Sequence, residues 1–441
     1  MRTRHGMRRA RSGLLPAALL LAGIGLAAAP APAAAQDLPT PTCAWPLLWT
    51  PVGLGNWIFP DTAYRLWYIP IDRDWRTVTL NGTYPKARFF SLALYDNAPV
   101  ATGLADHLYD AEITPDPGAG NPFASAPPAA GGPQTYTVTI TRGDEAGENL
   151  LHLHADTGWL LYRIYLPNTG AGGMGAVPLP QISVTRTNGE RAALPVCDYV
   201  NRRSEILAVQ SAIVPDVFET PPRTPPVPDR IWFGPLKNPP VRLLPNPDNK
   251  YMVSFFMSED RPDRVIVIRA RMPGFPDTLK GAPVSQPAPG FDAIELRYWT
   301  MCVGEVVSPL PLTSCTVDAA TPLDDDGFAT LVITSDVVRP PSLDPNIVWL
   351  PYGDGQMVPK TIFMRYLLPS PDFPHSIQQA VSRGCGAEWQ FPTPPSNAAL
   401  TEAGQCTREV MGDYYPLAAW CDAATFDAAG WKGCFEKAGI D

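Results

Sequence analysis

Two histidines and an aspartate alternate along one strand-like segment of the chain, at His152, His154 and Asp156. Alternate residues of a β-strand project from the same face of a sheet, so the three side chains would point the same way. Two imidazoles and a carboxylate form a ligand set for a divalent metal ion. The pattern therefore predicts a metal site, and no other cofactor is indicated. The alternative interpretation is a polar outer face of the strand, on which such histidine pairs are common.

A second set of candidates combines aromatic, acidic and basic side chains that could bind an extracellular ligand. Aromatic rings stack on sugars, and carboxylates or guanidinium groups complete a binding or acid–base site. His107 belongs to this set, and it would join the metal site if its loop folded back over the strand. The alternative is structural, because arginine and aspartate also tie sheet edges and turns together, while tryptophans fill a core. The candidate ligand-binding residues are Trp57, Asp61, Arg88, His107 and Arg163.

Familiar catalytic motifs are absent from the sequence. It contains no Gly-x-Ser-x-Gly elbow, no phosphate-binding loop and no His-Glu-x-x-His helix. The acidic run 324–327 lacks the spacing of an EF-hand and predicts a solvated turn instead. The sequence therefore assigns no catalytic residue and leaves enzymatic activity open.

The elements that must position these residues occur twice. Short segments rich in Val, Ile, Thr, Tyr and Phe, separated by Gly, Pro, Asn and Asp, are typical of strands in an antiparallel sandwich. Five of them match in the same order, which makes chance unlikely and indicates an internal duplication. The matched pairs are 60–64 with 247–251, 88–92 with 297–301, 135–141 with 328–334, 149–153 with 346–350, and 163–167 with 365–369.

We therefore predict a mainly β fold of two duplicated, jelly-roll-like β-sandwich units with a small helical, cysteine-containing C-terminal region. Asp248, Arg297 and Arg365 repeat Asp61, Arg88 and Arg163 in the second unit, and this recurrence favours a structural role. A helix is predicted over 201–213, and the C-terminal region is expected to pack on the second unit. The predicted organisation is a signal peptide over 1–35, an N-terminal segment over 36–55, a first unit over 56–183, a helix and proline-rich connector over 184–242, a second unit over 243–375 and the helical region over 376–441.

Three motifs of the first unit carry a resemblance to a known family. They are Asn-Trp-Ile-Phe-Pro-Asp-x-x-Tyr over 56–64, Tyr-Pro-x-x-Arg-Phe-Phe-Ser over 84–91, and Arg-x-Tyr-x-Pro over 163–167. In these motifs the chain resembles exported bacterial proteins of the domain-of-unknown-function family twelve-fourteen. The resemblance implies a jelly-roll-type sandwich, covers the second unit less closely, and implies no established activity.

The first 35 residues have the pattern of a secretory signal peptide: an arginine-rich start, an apolar run and a small-residue cleavage signature before Gln36. We expect a periplasmic or secreted protein with no membrane span after cleavage. All eight cysteines follow this segment, and an even number in an oxidising compartment predicts up to four disulfides. The local pairings favoured are Cys302 with Cys315, and pairs among the last four cysteines.

Charge excludes one class of partner and composition excludes one class of fold. Removing the signal would leave 29 basic against 43 acidic residues, so nucleic acid is not an expected partner. The 53 prolines argue against a largely helical protein. The sequence specifies no oligomeric state.

The leading prediction is an exported or envelope-associated protein that binds an extracellular small molecule or glycan. The alternative is an extracytoplasmic carbohydrate-active or metal-dependent hydrolase.

Overall fold

The strands form where the sequence alternates apolar and polar residues or runs apolar throughout. The segment Trp75–Thr83 alternates buried and more exposed positions, whereas Gly158–Tyr165 is buried at every position. The first pattern is typical of a sheet with one solvated face, and the second of a sheet covered on both faces. The computed structural model describes residues 43–45, 47–49, 64–71, 73–96, 104–126, 131–168, 174–197, 229–237, 246–257, 263–306, 312–335, 338–353, 359–388 and 395–440.

The strands of the described residues are numbered in chain order. They are β1 (Leu47–Trp49), β2 (Tyr64–Ile71), β3 (Trp75–Thr83), β4 (Phe89–Asp96), β5 (Leu104–Tyr109), β6 (Thr135–Thr141), β7 (Leu150–His152), β8 (Gly158–Tyr165), β9 (Gln181–Arg186), β10 (Arg191–Leu194), β11 (Arg230–Ile231), β12 (Gly234–Lys237), β13 (Asn249–Met257), β14 (Arg264–Arg271), β15 (Leu296–Glu305), β16 (Leu312–Val317), β17 (Phe328–Thr334), β18 (Val348–Pro351), β19 (Pro359–Pro369), β20 (Ala387–Glu388) and β21 (Leu417–Asp422).

Helices lie in the C-terminal region, as predicted. Serine side chains cap two of them, because the hydroxyl of Ser376 accepts from the Gln379 N–H and that of Ser396 accepts from the Ala399 N–H. The helices are α1 (Ile377–Ser382), α2 (Asn397–Met411) and α3 (Ala423–Lys437), with short 3-10 turns at Thr278–Lys280, Asp318–Ala320 and Gly412–Tyr414.

Four sheets form two sandwiches that share one topology. In the first sandwich, sheet I has the order β1-β2-β8-β4-β5 and sheet II the order β10-β9-β3-β6-β7. In the second, sheet III has the order β16-β15-β19-β13-β12-β20 and sheet IV the order β11-β21-β14-β17-β18. The order β2-β8-β4-β5 recurs as β13-β19-β15-β16, and β9-β3-β6-β7 recurs as β21-β14-β17-β18. The parallel pairing of β6 with β7 also recurs, as the pairing of β17 with β18. The duplication predicted from sequence is therefore present in the fold.

Two strands, β20 and β21, come from the segment that the sequence identified only as helical. Strand β21 lies between β11 and β14, where β9 lies beside β3 in the first sandwich. Residues 166–180 separate β8 from β9, whereas residues 370–416 separate β19 from β21 and contain α1 and α2. The helices are thus an insertion before the last strand of the duplicated unit. Part of the predicted proline-rich connector also forms strands, β11 and β12.

Each sandwich has its own apolar core. Phe90 and Leu92 of sheet I meet Leu80 and Ile140 of sheet II, and all four are fully buried. Trp299, Met301 and Met364 are among the residues that fill the equivalent core between sheets III and IV. A third cluster joins the outer face of sheet IV to α3. The C-terminal region therefore packs on the second sandwich, as expected.

All eight cysteines are paired. Cys302 and Cys315 lie opposite each other on β15 and β16, which is the pairing favoured by the sequence. Four disulfides are typical of proteins in an oxidising compartment. None of the helices in the described part of the chain is long and apolar enough to cross a membrane. The pairs are Cys43–Cys197, Cys302–Cys315, Cys385–Cys406 and Cys421–Cys434.

Candidate functional site

The predicted ligand-binding residues fall into two groups. Trp57 and Asp61 lie outside the described residues, as do the signal segment 1–35 and the helix predicted over 201–213. Arg88, His107 and Arg163 belong to sheet I or its edges, where the first sandwich meets the second. Their contacts decide between the functional and the structural interpretation.

Arg88 is fully buried and is held by the second sandwich. Its Nη1 donates to the Pro276 carbonyl at 2.9 Å and to Asp318 Oδ2 at 3.1 Å, and its Nη2 donates to Asp277 Oδ1 at 3.3 Å. The guanidinium also lies 4.4 Å from the centre of the Phe275 ring. These contacts leave Arg88 inaccessible to a ligand and give it a role in joining the two sandwiches.

Arg297, the counterpart of Arg88, makes the reciprocal contact. Its Nη2 donates to Asp110 Oδ2 at 2.9 Å, and its Nε and Nη2 both donate to the Arg88 carbonyl at 3.1 Å. Asp110 follows β5 and Asp318 follows β16, so the two carboxylates occupy equivalent places in the two copies. Each copy therefore places its arginine on the other copy's aspartate, as in an isologous dimer interface built within one chain.

His107 and Arg163 also lie at this junction. The His107 Nε2 lies 3.1 Å from Oδ1 of the buried Asp248 of the second sandwich. Burial opposes protonation, but the hydrogen bond and charge of Asp248 prevail and raise the pKa of His107 above its ordinary value. Arg163 is 4% exposed, and its Nη2 lies 3.5 Å from the Tyr95 hydroxyl. Three of the predicted ligand-binding residues thus lie at the junction, where Arg88 and Arg163 are buried and the His107 side chain is 27% exposed.

Asp110→Asn is expected to flatten the pH dependence of stability between about pH 4 and pH 7. Burial raises the pKa of Asp110 to about 7, against the opposing effect of Arg297. The folded protein then keeps a proton that the unfolded chain releases near pH 4, so the free energy of unfolding falls as pH rises, by up to roughly 1 kcal/mol per pH unit. Asparagine mimics the protonated carboxyl and removes this contribution.

Urea unfolding at pH 4, 5.5 and 7 measures the effect. The stability of wild type relative to Asp110→Asn should decline steadily as pH rises. Asp156→Asn serves as control, because the side chain of Asp156 is 72% exposed. Parallel curves for wild type and Asp110→Asn would contradict the expectation.

The three predicted metal ligands have separate partners. The two ring nitrogens of His152 lie 3.0 Å from Asp106 Oδ2 and 3.0 Å from the Glu145 carbonyl. Asp156 accepts from Arg142 at 3.3 Å, and the His154 ring is largely exposed. Among the residues that the structure describes, no three His, Cys, Asp or Glu side chains are grouped to hold a metal ion. The structure therefore does not bring His152, His154 and Asp156 together as a metal site.

A cleft of about 900 Å³ lies on the outer face of sheet IV. Its floor comes from strands β11, β21, β14 and β17, one wall from α3, and the other from α2 and the turn that follows it. This volume is within the range of small-molecule sites. The lining residues are Arg230, Trp232, Arg269, Phe328, Gln405, Arg408, Glu409, Gly412, Asp413, Tyr415, Leu417, Trp431, Phe435 and Ile440.

Aromatic rings and guanidinium groups alternate in this cleft. The Arg230 guanidinium lies 4.0 Å from the centre of the Trp232 ring. The Arg269 guanidinium lies between two rings, 4.7 Å from Phe328 and 4.3 Å from Trp431. Such cation–π contacts stiffen both partners. Trp232, Phe328 and Trp431 all remain partly exposed, so part of each ring faces solvent.

The two tryptophans are held by close backbone packing and by a break in α3. A Cβ atom at Gly404 would lie 2.8 Å from the Trp232 ring, so only glycine lets α2 approach this closely. Trp431 directly follows Gly430, whose φ of 61° interrupts α3. A positive φ favours glycine. Gly430 therefore allows the kink in α3 that sets the direction of the helix axis after residue 430. The Cys421–Cys434 disulfide then ties this half to β21.

Replacing both Cys421 and Cys434 by alanine is expected to lower the free energy of unfolding by about 3 kcal/mol, from loop entropy. If the cleft binds a ligand, the same change should also weaken that binding, because the part of α3 that carries Trp431 loses its tie to the sheet. The matched control is the double alanine variant of Cys302 and Cys315, which has the same sequence separation of 13 but joins β15 to β16. Chemical unfolding and a ligand titration would measure the two effects. Equal affinity losses in the two variants would contradict the account.

Sequence reasoning missed this cleft. Its residues come from segments far apart in the chain, and none forms a recognised motif. The alternation of Arg230 with Trp232, and the position of Arg269 directly after the apolar run 265–268, are the signals that the sequence offers. The acidic turn 324–327 enters the site as well, because the Asp324 carboxylate binds Arg269 and accepts from the Asp326 and Phe328 amides.

No protein-family model and no curated protein matches the chain. Among solved structures, it is similar to an uncharacterised protein from Burkholderia cenocepacia, with 12% identity and a TM-score of 0.45 over 86% of this chain and 82% of that one. It is also similar to the VPA0106 protein from Vibrio parahaemolyticus, with 13% identity and a TM-score of 0.38 over 71% and 86%. These similarities are too weak to carry an argument about function, and the resemblance to family twelve-fourteen stays a prediction from the sequence.

Proposed function

We propose that the chain is an exported β-sandwich protein that binds an extracellular glycan in the cleft on the outer face of sheet IV. The observation that carries the proposal is the lining of this cleft, in which partly exposed tryptophan and phenylalanine rings alternate with polar and charged side chains. A cleft of about 900 Å³ is large enough for several linked sugar rings.

The chemistry of the lining supports a glycan. Sugar rings present apolar C–H faces, which pack on aromatic rings, and hydroxyl groups that both donate and accept hydrogen bonds. The cleft supplies donors from Arg230 and Arg408, acceptors from Glu409 and Asp413, and both from Gln405. A purely apolar ligand would displace water from Gln405, Glu409 and Asp413 without offering them hydrogen bonds, at a cost of about 1–3 kcal/mol each when buried.

Two observations support export. The segment 1–35 has the composition of a secretory signal peptide, and the four disulfides suit an oxidising compartment. The resemblance to exported bacterial proteins of family twelve-fourteen is consistent with the same location.

Thermal unfolding of the disulfide-bonded protein against a panel of oligosaccharides, lipids and divalent metal ions tests the proposal. A ligand that binds only the folded state raises the unfolding temperature by mass action, and saturating saccharide should raise it by about 5 °C. The saccharide should be recovered intact. Recovery of shortened saccharides would favour the hydrolase alternative, since Glu409 and Asp413 place two carboxylates in the cleft. An unchanged unfolding temperature with every saccharide would overturn the proposal.

A further inference from the structure

We infer that the cleft selects an uncharged oligosaccharide, which stacks on Trp431, and that Arg269 is the positioning residue for this ring. The inference rests on the proposed function and specifies its ligand class. It depends on the charge balance of the lining and on the contacts of Arg269.

Positive and negative groups nearly balance around the cleft. The guanidinium groups of Arg230, Arg269 and Arg408 and the ammonium of Lys432 face the carboxylates of Glu409 and Asp413 in the lining and that of Asp324 on Arg269, which leaves one net positive charge. An anionic sugar would meet carboxylates as well as guanidinium groups and would gain little net attraction. An uncharged sugar uses both kinds of group, because each hydroxyl donates one hydrogen bond and accepts others.

Arg269 is committed to the protein rather than to a ligand. Its Nη1 donates to the Thr330 hydroxyl at 3.0 Å, its Nη2 pairs with the Asp324 carboxylate, and its side chain is 13% exposed. Its planar guanidinium is thus fixed between the Phe328 and Trp431 rings. The arginine therefore acts on a ligand through Trp431, whose orientation it sets.

Trp431 is the ring best placed to stack on a sugar. It remains partly exposed, and the edge-to-face contact with Phe435 at 5.7 Å and the Arg269 contact support it from the protein side. Lys432 reaches over the same ring at 5.5 Å, from an exposed position. Trp232, by contrast, packs against Gly404 and Arg230.

Calorimetric titration with matched hexasaccharides tests the ligand class. The neutral probes are hexamers of glucose in α-1,4 and β-1,4 linkage and of N-acetylglucosamine, and the anionic probe is a hexamer of galacturonate. At least one neutral hexamer should bind tenfold or more tightly than the anionic one, with an affinity that changes less than twofold between 0.05 and 0.5 M NaCl. Tighter binding of the galacturonate hexamer, weakened by salt, would overturn the inference but leave glycan binding intact.

Variants of Arg269 test its positioning role on the neutral hexamer that binds. Arg269→Met should lower affinity about tenfold and alter the near-ultraviolet circular dichroism of the tryptophans, because the ring loses its planar support. Arg269→Lys should recover only part of the loss, since an ammonium lacks the flat face of the guanidinium. Asp324→Asn removes the negative charge that pairs with Arg269, and it should therefore lower affinity by a smaller factor than Arg269→Met.

The possible results distinguish failure of the positioning role of Arg269 from failure of glycan binding itself. If Arg269→Met binds the neutral saccharide with the affinity and the tryptophan circular dichroism of wild type, Arg269 does not position Trp431. Glycan binding itself would then still stand. Full recovery by Arg269→Lys would also contradict the positioning role, because charge alone would then suffice. Failure of every hexamer, neutral and anionic, to bind wild type would instead overturn the proposed function itself.

Discussion

Arg88→Met is expected to lower the free energy of unfolding by about 3–5 kcal/mol, because it leaves the buried Asp318 carboxylate without its cation and removes one of the cations that pair with Asp277, the other being Lys280. Arg88 is fully buried, and it binds Asp318 and Asp277 of the second sandwich at 3.1 and 3.3 Å. Methionine has a similar length and removes only the charge and the hydrogen bonds. The loss should therefore report the junction between the sandwiches rather than a cavity.

Chemical unfolding of the variant, with Arg142→Met as the matched control, measures this loss. Arg142 also pairs with an aspartate and lies 4.6 Å from a tryptophan ring, but its side chain is 34% exposed. Such surface pairs contribute about 0–1 kcal/mol. Adding Asp318→Asn to Arg88→Met should restore part of the stability, because it removes one uncompensated charge. Equal losses for Arg88→Met and Arg142→Met would show that the junction is not held by buried ion pairs.

Trp431→Ala is expected to lower saccharide affinity about 30-fold or more, equivalent to roughly 2 kcal/mol of binding free energy. In the proposed binding mode, this ring supplies the stacking surface at the cleft. Titration of the variant with the saccharide that binds wild type measures the loss.

Trp349→Ala is the control for this substitution. Trp349 is also partly buried and lies on sheet IV, but on the edge strand β18, where its Nε1 donates to the Thr334 hydroxyl. Its loss should change affinity less than twofold. Similar affinity losses for Trp349→Ala and Trp431→Ala would contradict a binding role specific to Trp431.

The strands and their duplication could be predicted because both depend on short runs of residue types that are visible in the sequence. The segments 88–92 and 297–301 match residue for residue in type, and both form strands at equivalent places in sheets I and III. Strand β21 could not be placed in this way, because an insertion carrying α1 and α2 separates it from the rest of its unit.

The ion pairs between the two sandwiches could not be predicted from the sequence, for a different reason. A repeat shows that Arg88 and Arg297 are equivalent, but it does not show that each binds the aspartate of the other copy. The cleft depends on long-range packing as well, because strand order in sheet IV brings Arg230 near Arg269 and the packing of α3 on this sheet adds Trp431. Local pattern specifies elements, and long-range packing specifies sites.

The most direct test of the glycan cleft is a crystal structure of the protein with the oligosaccharide that most raises its unfolding temperature. We expect one intact saccharide per chain on the outer face of sheet IV, with a sugar ring against Trp431 and hydroxyl groups on Arg408 or Glu409. A saccharide bound elsewhere, such as beside His107 and Arg163 at the junction, would contradict this expectation.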